Sequence, residues 1–155
     1  MANAELRYDD AIHLCLTILK ELECRFPRGG VIGLMKAVDS VRKTVKMVGQ
    51  TPAEMLESLP VATDPSKIAI MAFLNRMHEW AYLAGDKFVY VNLLVFTKMV
   101  QMTLSNGLFE SSAISFAGLG HVSLFVMGDV DTAYHIGERA LQIQERCESE
   151  AGKAT

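Results

Sequence analysis

The strongest constraint on this chain is the rhythm of its apolar residues, which recur every three or four positions and never alternate as a half-buried strand would. The first such run, about 4–25, carries Leu6, Ala11, Leu14, Cys15, Ile18, Leu19 and Leu22 before Phe26, Pro27, Gly29 and Gly30 stop it. A second, about 31–48, carries Ile32, Leu34, Met35, Val38, Val41, Val45 and Val48, with Gly49 placed as a C-cap glycine. Thr51, Pro52 and Glu54 form a capping-box pattern opening a short helix to about residue 58. Asp64 followed by Pro65 repeats the start signal for a fourth helix to about 83. Gly85 and Asp86 turn the chain into a fifth over about 87–105, closed by Asn106 and Gly107. A sixth, about 113–127, is capped by Ser111 or Ser112 and closed by Gly128; a seventh, capped by Asp129 or Asp131, runs to about 148. The expectation is an all-α fold of antiparallel helix pairs, one domain over 1–155 with about 149–155 as a frayed tail.

Composition bounds the function classes. The net charge of -3 gives no basic stripe for nucleic acid, and Arg42, Lys43 and Lys46 share one short face with Asp39. Cys15, Cys24 and Cys147 are an odd set behind an N-terminus with neither a basic start nor an apolar run, which points to reduced thiols and a cytoplasmic location. The apolar stretches 88–104 and 113–127 read as buried helices rather than membrane spans: the first carries Asn92, Lys98 and Gln101, and the second is short with His121 inside it.

The last two helices carry a repeat-like pattern: Phe116, Leu119 and Gly120 on one, Ala133, Gly137 and Ala140 on the other. Small side chains at such positions let two helix backbones approach closely, as in a tetratricopeptide repeat. The spacing is one residue longer than the consensus, and the consensus tyrosine falls on Ser123. Ala11, Cys15 and Ile18 echo the last helix, with Tyr8 and Tyr134 flanking, so the first helix reads as the second member of a pair lacking its first. Its apolar side is expected to stay uncovered or to bury against another copy.

A family resemblance follows from Leu59, Pro60, Thr63, Asp64 and Pro65, then Met71 to Leu74, Ala81 and Tyr82. Lys98, Met99, Val100, Met102, Leu104 and Gly107 continue it, as do Ser112, Ala113, Phe116, Ala117, Gly120, Gly128, Asp129, Ala140 and Leu141. Together these resemble a helical region of large signalling proteins of cyanobacteria, fungi and algae. There it follows an AAA-type predicted ATPase and sits between serine/threonine-kinase-like and GAF plus histidine-kinase modules. The resemblance spans about 8–147 and implies a spacer or sensor segment with no catalysis of its own. The chain departs from it at Leu22, Glu23 and Cys24, where that region reads leucine-glycine. It begins with its own Met1, so it is either an excised segment or a short stand-alone relative.

No chemistry-bearing constellation is expected. His78 and Glu79 begin a zinc-protease motif, but Tyr82 stands at the second histidine position. His121 lacks a ligand at i+3 or i+4 and reads as a hydrogen-bonded interior histidine; His13 and His135 read as structural. Gly29, Gly30 and Gly33 lead into Leu34, Met35 and Lys36 rather than a phosphate loop's Gly-Lys-Ser/Thr, and read as a flexible turn. Asp129 and Asp131 lack the later ligands of a calcium loop, and Ser111 and Ser112 lack elbow glycines. No catalytic, cofactor or metal residue is assigned. Met71, Met77, Met99, Met102 and Met127 suit core filling better than an adaptable groove.

The reading is therefore a non-catalytic protein-interaction or spacer module, acting on a protein partner or the flanking domains of a parent protein. It includes self-association through the first helix, with no nucleic acid and no membrane. The alternative is a small-molecule sensor with an apolar pocket near Trp80, Phe88, Phe96 and Phe116.

Overall fold

A computed structural model describes residues 2–153. They form α1 (Ala2–Glu21), α2 (Gly30–Gln50), α3 (Ala53–Glu57), α4 (Pro65–Leu83), a 3₁₀ turn (Asp86–Phe88), α5 (Val89–Asn106), α6 (Ser112–Met127) and α7 (Val130–Lys153). The fold is all-α; among the described residues the only β-type pairing is an isolated bridge between Val61 and Leu108.

Several helix ends differ from expectation for local reasons. α1 stops at Glu21 because Glu23 adopts a left-handed φ of 63°. The Cys24 N–H then donates to the Leu19 carbonyl at 2.7 Å and the Glu23 N–H to Lys20 at 3.1 Å, a Schellman closure. Gly49 lies inside α2 rather than capping it. The capping box at Thr51 does not form: its hydroxyl donates back to the Met47 carbonyl at 2.8 Å, and α3 starts after Pro52 without a side-chain cap. Asp64 does cap α4, accepting the Ser66 N–H at 2.9 Å. Gly128 closes α6 in the left-handed region. Asp129, not Asp131, caps α7, and the Thr132 hydroxyl and N–H hold its carboxyl below the ordinary range. α7 runs on to Lys153, past the expected end near 148, its last turns joined by Glu150 to both Arg146 and Lys153; Ala154 and Thr155 lie outside the described residues.

α5 is the axis, because it is apolar on every side. Val91, Val95 and Met99 enter a core shared with Ile12, Cys15 and Leu19 of α1 and with Ile70, Leu74 and Met77 of α4. Leu93, Leu94 and Val100 enter a second core with Val41 and Val48 of α2, Phe116 and Leu119 of α6, and Ile136 and Ile143 of α7. By length and composition alone Asp86–Asn106, at mean hydropathy 1.3, could cross a bilayer, contrary to the expectation from its polar residues; here α2, α4 and α6 enclose it. Those polar residues are spent inside the fold. The Asn92 amide spans the His78 carbonyl and Tyr82 N–H of α4, Gln101 donates to Thr44 at 2.7 Å, and Lys98 sits over the Phe26 ring.

Sequence neighbours are not always spatial neighbours. α4, α5, α6 and α7 stack in chain order, but α1 takes α4 as its neighbour and α2 takes α5. Ser40 pairs with Thr97 and Thr44 with Gln101, so α2 runs parallel to α5, not antiparallel to α1. Residues 22–29 make this arrangement work as a strap along α5, from Phe26 beside Lys98 to Gly29 beside Tyr90. Phe26 touches both cores. The apolar side of α1 is thus largely covered within the chain, by a register of Ile12, Cys15 and Leu19 rather than Ala11, Cys15 and Ile18. Leu14 remains exposed, and Ala11 and Ile18 are half-buried.

The expected small-residue contact between α6 and α7 is formed in part. A methyl group on Gly120 would lie 3.3 Å from the Ala133 carbonyl, whereas Gly137 has nothing near it. The buried stripe of α7 is Ile136, Ala140 and Ile143, because the larger aliphatic side chains take the interior positions. Ser123, at the consensus tyrosine position, is buried and donates to the Gly120 carbonyl at 2.8 Å. Ala140→Leu should overpack this contact and lower stability by about 1–3 kcal/mol in urea unfolding; an unchanged midpoint would show that the α6–α7 seam has slack.

Candidate functional site

Three clefts mark the surface, and all open to solvent. One, of about 630 Å³, lies between the C-terminal half of α4 and α6, floored by Val89, Asn92, Leu93 and Phe96 of α5. A second, of about 650 Å³, continues between the N-terminal parts of α4 and α6, over Leu108 and Phe109. The third, of about 840 Å³, separates α2 from α7 and is lined by Val45, Lys46, Ile136 and Arg139 among others.

The α4–α6 clefts owe their walls to helical spacing. Ile68, Ala72, Asn75, Glu79 and Leu83 recur every three or four residues along α4, as Ile114, Gly118, His121 and Phe125 do along α6. Phe96 forms the saddle between the two clefts. Its ring centroid lies 5.1 Å from that of His78, and it presses on Gly118, where a β-carbon would sit 2.2 Å from the ring. Glycine at 118 is what lets that ring lie against α6. Tyr82 and Phe125, each 76% exposed, stand on opposite walls with little to cover them.

His78, Glu79, Asp86 and His121 all line the cleft between the C-terminal half of α4 and α6. His78 shares a hydrogen bond with the Asn75 carbonyl at 2.5 Å, and His121 is exposed on the cleft wall rather than interior as expected. The reason is that α6 is apolar on all faces, so its composition does not reveal which side faces solvent. His13 meets the edge of Phe88, and His135 pairs with Glu138 at 2.9 Å on the surface. No group of three or more metal-ligating side chains occurs among the described residues. Burial raises the pKa of all three thiols, although Lys98 and Lys67 partly oppose it at Cys24. None carries the lowered pKa of an activated nucleophile.

The remaining residues singled out in the sequence are placed as follows. Gly30 takes a φ of 80° and Gly33 lies within the first turn of α2, under the Arg28 carbonyl. The Ser112 hydroxyl accepts the Phe109 N–H and pairs with Thr103, while Ser111 makes no capping bond. Arg42, Lys43 and Lys46 are solvated, with Lys43 paired to Asp39. Met71, Met77 and Met99 are core, and Met102 packs on it. Of the four aromatic residues expected near one pocket, Phe88 and Phe116 are buried in different cores, Trp80 packs on the first, and only Phe96 lines a cleft.

The α4–α6 walls were missed from sequence because they come from helices separated by α5 and consist of ordinary apolar side chains. No family model, curated protein or solved structure matches the chain.

Proposed function

We propose that this chain is a non-catalytic protein-interaction or spacer module, tetratricopeptide-like in packing and related to the helical region of multidomain signalling ATPases and kinases. The observation that carries the interaction reading is the open α4–α6 cleft, with Tyr82 and Phe125 presented on its walls over an apolar floor. A ligand sensor calls instead for an enclosed cavity with a few convergent polar groups. The serial stacking of α4 to α7 and the Gly120–Ala133 approach support repeat-like packing; the separation of α1 from α2 is its main departure. Self-association through α1 has chiefly Leu14 to carry it, since α4 covers the buried stripe. A cytoplasmic setting fits the three free thiols.

Calorimetric titration with ATP should show no saturable binding, and no phosphate should be released. Micromolar binding or turnover would end the non-catalytic reading. A panel of small apolar ligands separates the module from the sensor. Ligand at a hundred times its Kd adds about 2.7 kcal/mol of stability, or roughly 5–10 °C in a chain this size. Melting temperatures unmoved across the panel are expected; a shift of that size favours the sensor.

A further inference from the structure

α4 and α6 flank α5 without packing closely on each other, and the two clefts between them lie end to end. The walls are the two helical stripes described above, and α5, 18 residues long, sets the groove's length at about 27 Å. That length corresponds to about five helical turns.

Its polar features are unpaired in a way that points to an occupant. Asp86 lines one end and Glu110 the other, and neither carboxylate has an ion-pair partner among the described residues. Glu79 is matched only by Arg76 of its own helix, at 3.4 Å. The rim is therefore acidic at both ends, around a largely apolar floor.

We propose that the α4–α6 groove binds an amphipathic helix of a partner protein. Its apolar face would carry anchors at i, i+4, i+7 and i+11, with basic residues at both ends for Asp86 and Glu110. This is helix-in-groove recognition with charge complementarity at the ends. The proposal rests on the interaction reading above and adds the site and the chemistry of the partner.

The probe is a labelled synthetic helix of about 18 residues, with leucines on one face and lysines on the other and at both ends. Titrated with the full chain in fluorescence anisotropy, it should bind with saturation. A peptide with every lysine changed to glutamate, and one with the same residues scrambled, should each bind at least about tenfold more weakly. The Tyr82→Ala/Phe125→Ala and Asp86→Lys/Glu110→Lys variants should each weaken binding by a similar factor, their folding checked by circular dichroism. Met35→Glu, on α2, should change nothing. If Met35→Glu abolishes binding and the groove variants do not, the interaction reading stands and this site falls. Absence of saturable binding overturns the proposal. So does a dimer in sedimentation that Tyr82→Ala/Phe125→Ala dissolves, which would make the occupant a second copy. Equal binding to phosphatidylserine vesicles through the same residues would make it a membrane.

Discussion

Truncating Phe116 to alanine should cost about 3–5 kcal/mol, the range for emptying a fully buried aromatic site. The ring is wholly excluded from solvent within the core built by α2, α3, α5, α6 and α7. At roughly 2–4 °C per kcal/mol for a chain of this length, the melting temperature should fall by about 6–20 °C. Phe125 supplies the control within the same helix. It is 76% exposed, and its truncation should stay within about 0.5 kcal/mol of the parent. Equal losses at the two positions in thermal unfolding would mean that α6 is rotated from the arrangement described.

Gly107→Ala should be the most damaging single methyl group. The residue sits at a φ of 101°, which alanine reaches only with strain, and its β-carbon would lie 2.3 Å from the Pro60 carbonyl oxygen. That oxygen cannot swing aside, because it accepts the Leu108 N–H at 2.7 Å while Ala62 donates to the Leu108 carbonyl at 2.8 Å. Strain of about 1–3 kcal/mol adds to overpacking of about 1–3 kcal/mol, giving a loss of about 2–6 kcal/mol. Gly85→Ala separates the two terms, since Gly85 has a similar φ of 82° and nothing near its β-carbon. Chemical denaturation should place Gly107→Ala at least 1 kcal/mol below Gly85→Ala, a gap of about the smaller overpacking cost. No gap would mean that the segment at Pro60 gives way freely.

The helices were legible because apolar spacing and the breaks at Pro60, Gly85, Gly107 and Gly128 are local signals. What failed depended on competition or distance. Glu23 ends α1 in a left-handed conformation that a glycine would have announced. Thr51 matched a capping box, yet its hydroxyl bonds the last turn of α2 behind it rather than the helix ahead. The partner of α1 begins at Pro65, and neither short connections nor periodicity can reveal a neighbour so far along the chain. The groove is hidden for the same reason: its walls come from α4 and α6, while Asp86 and Glu110 look like ordinary surface carboxylates until the fold brings them along one trough.

The hydroxyl contacts between α2 and α5 have a consequence for how uniquely the chain is arranged. Ser40 with Thr97 and Thr44 with Gln101 share one sequence separation, 57 residues, so they act as two teeth of a single rack. Sliding α2 by one turn in one sense would set Ser40 against Leu93 and leave Gln101 without Thr44. Each polar group stranded in that way costs about 1–3 kcal/mol, whereas aliphatic side chains alone would accept a slipped neighbour cheaply. The two pairs thus discriminate among alignments that the greasy surface of α5 would otherwise treat as nearly equivalent.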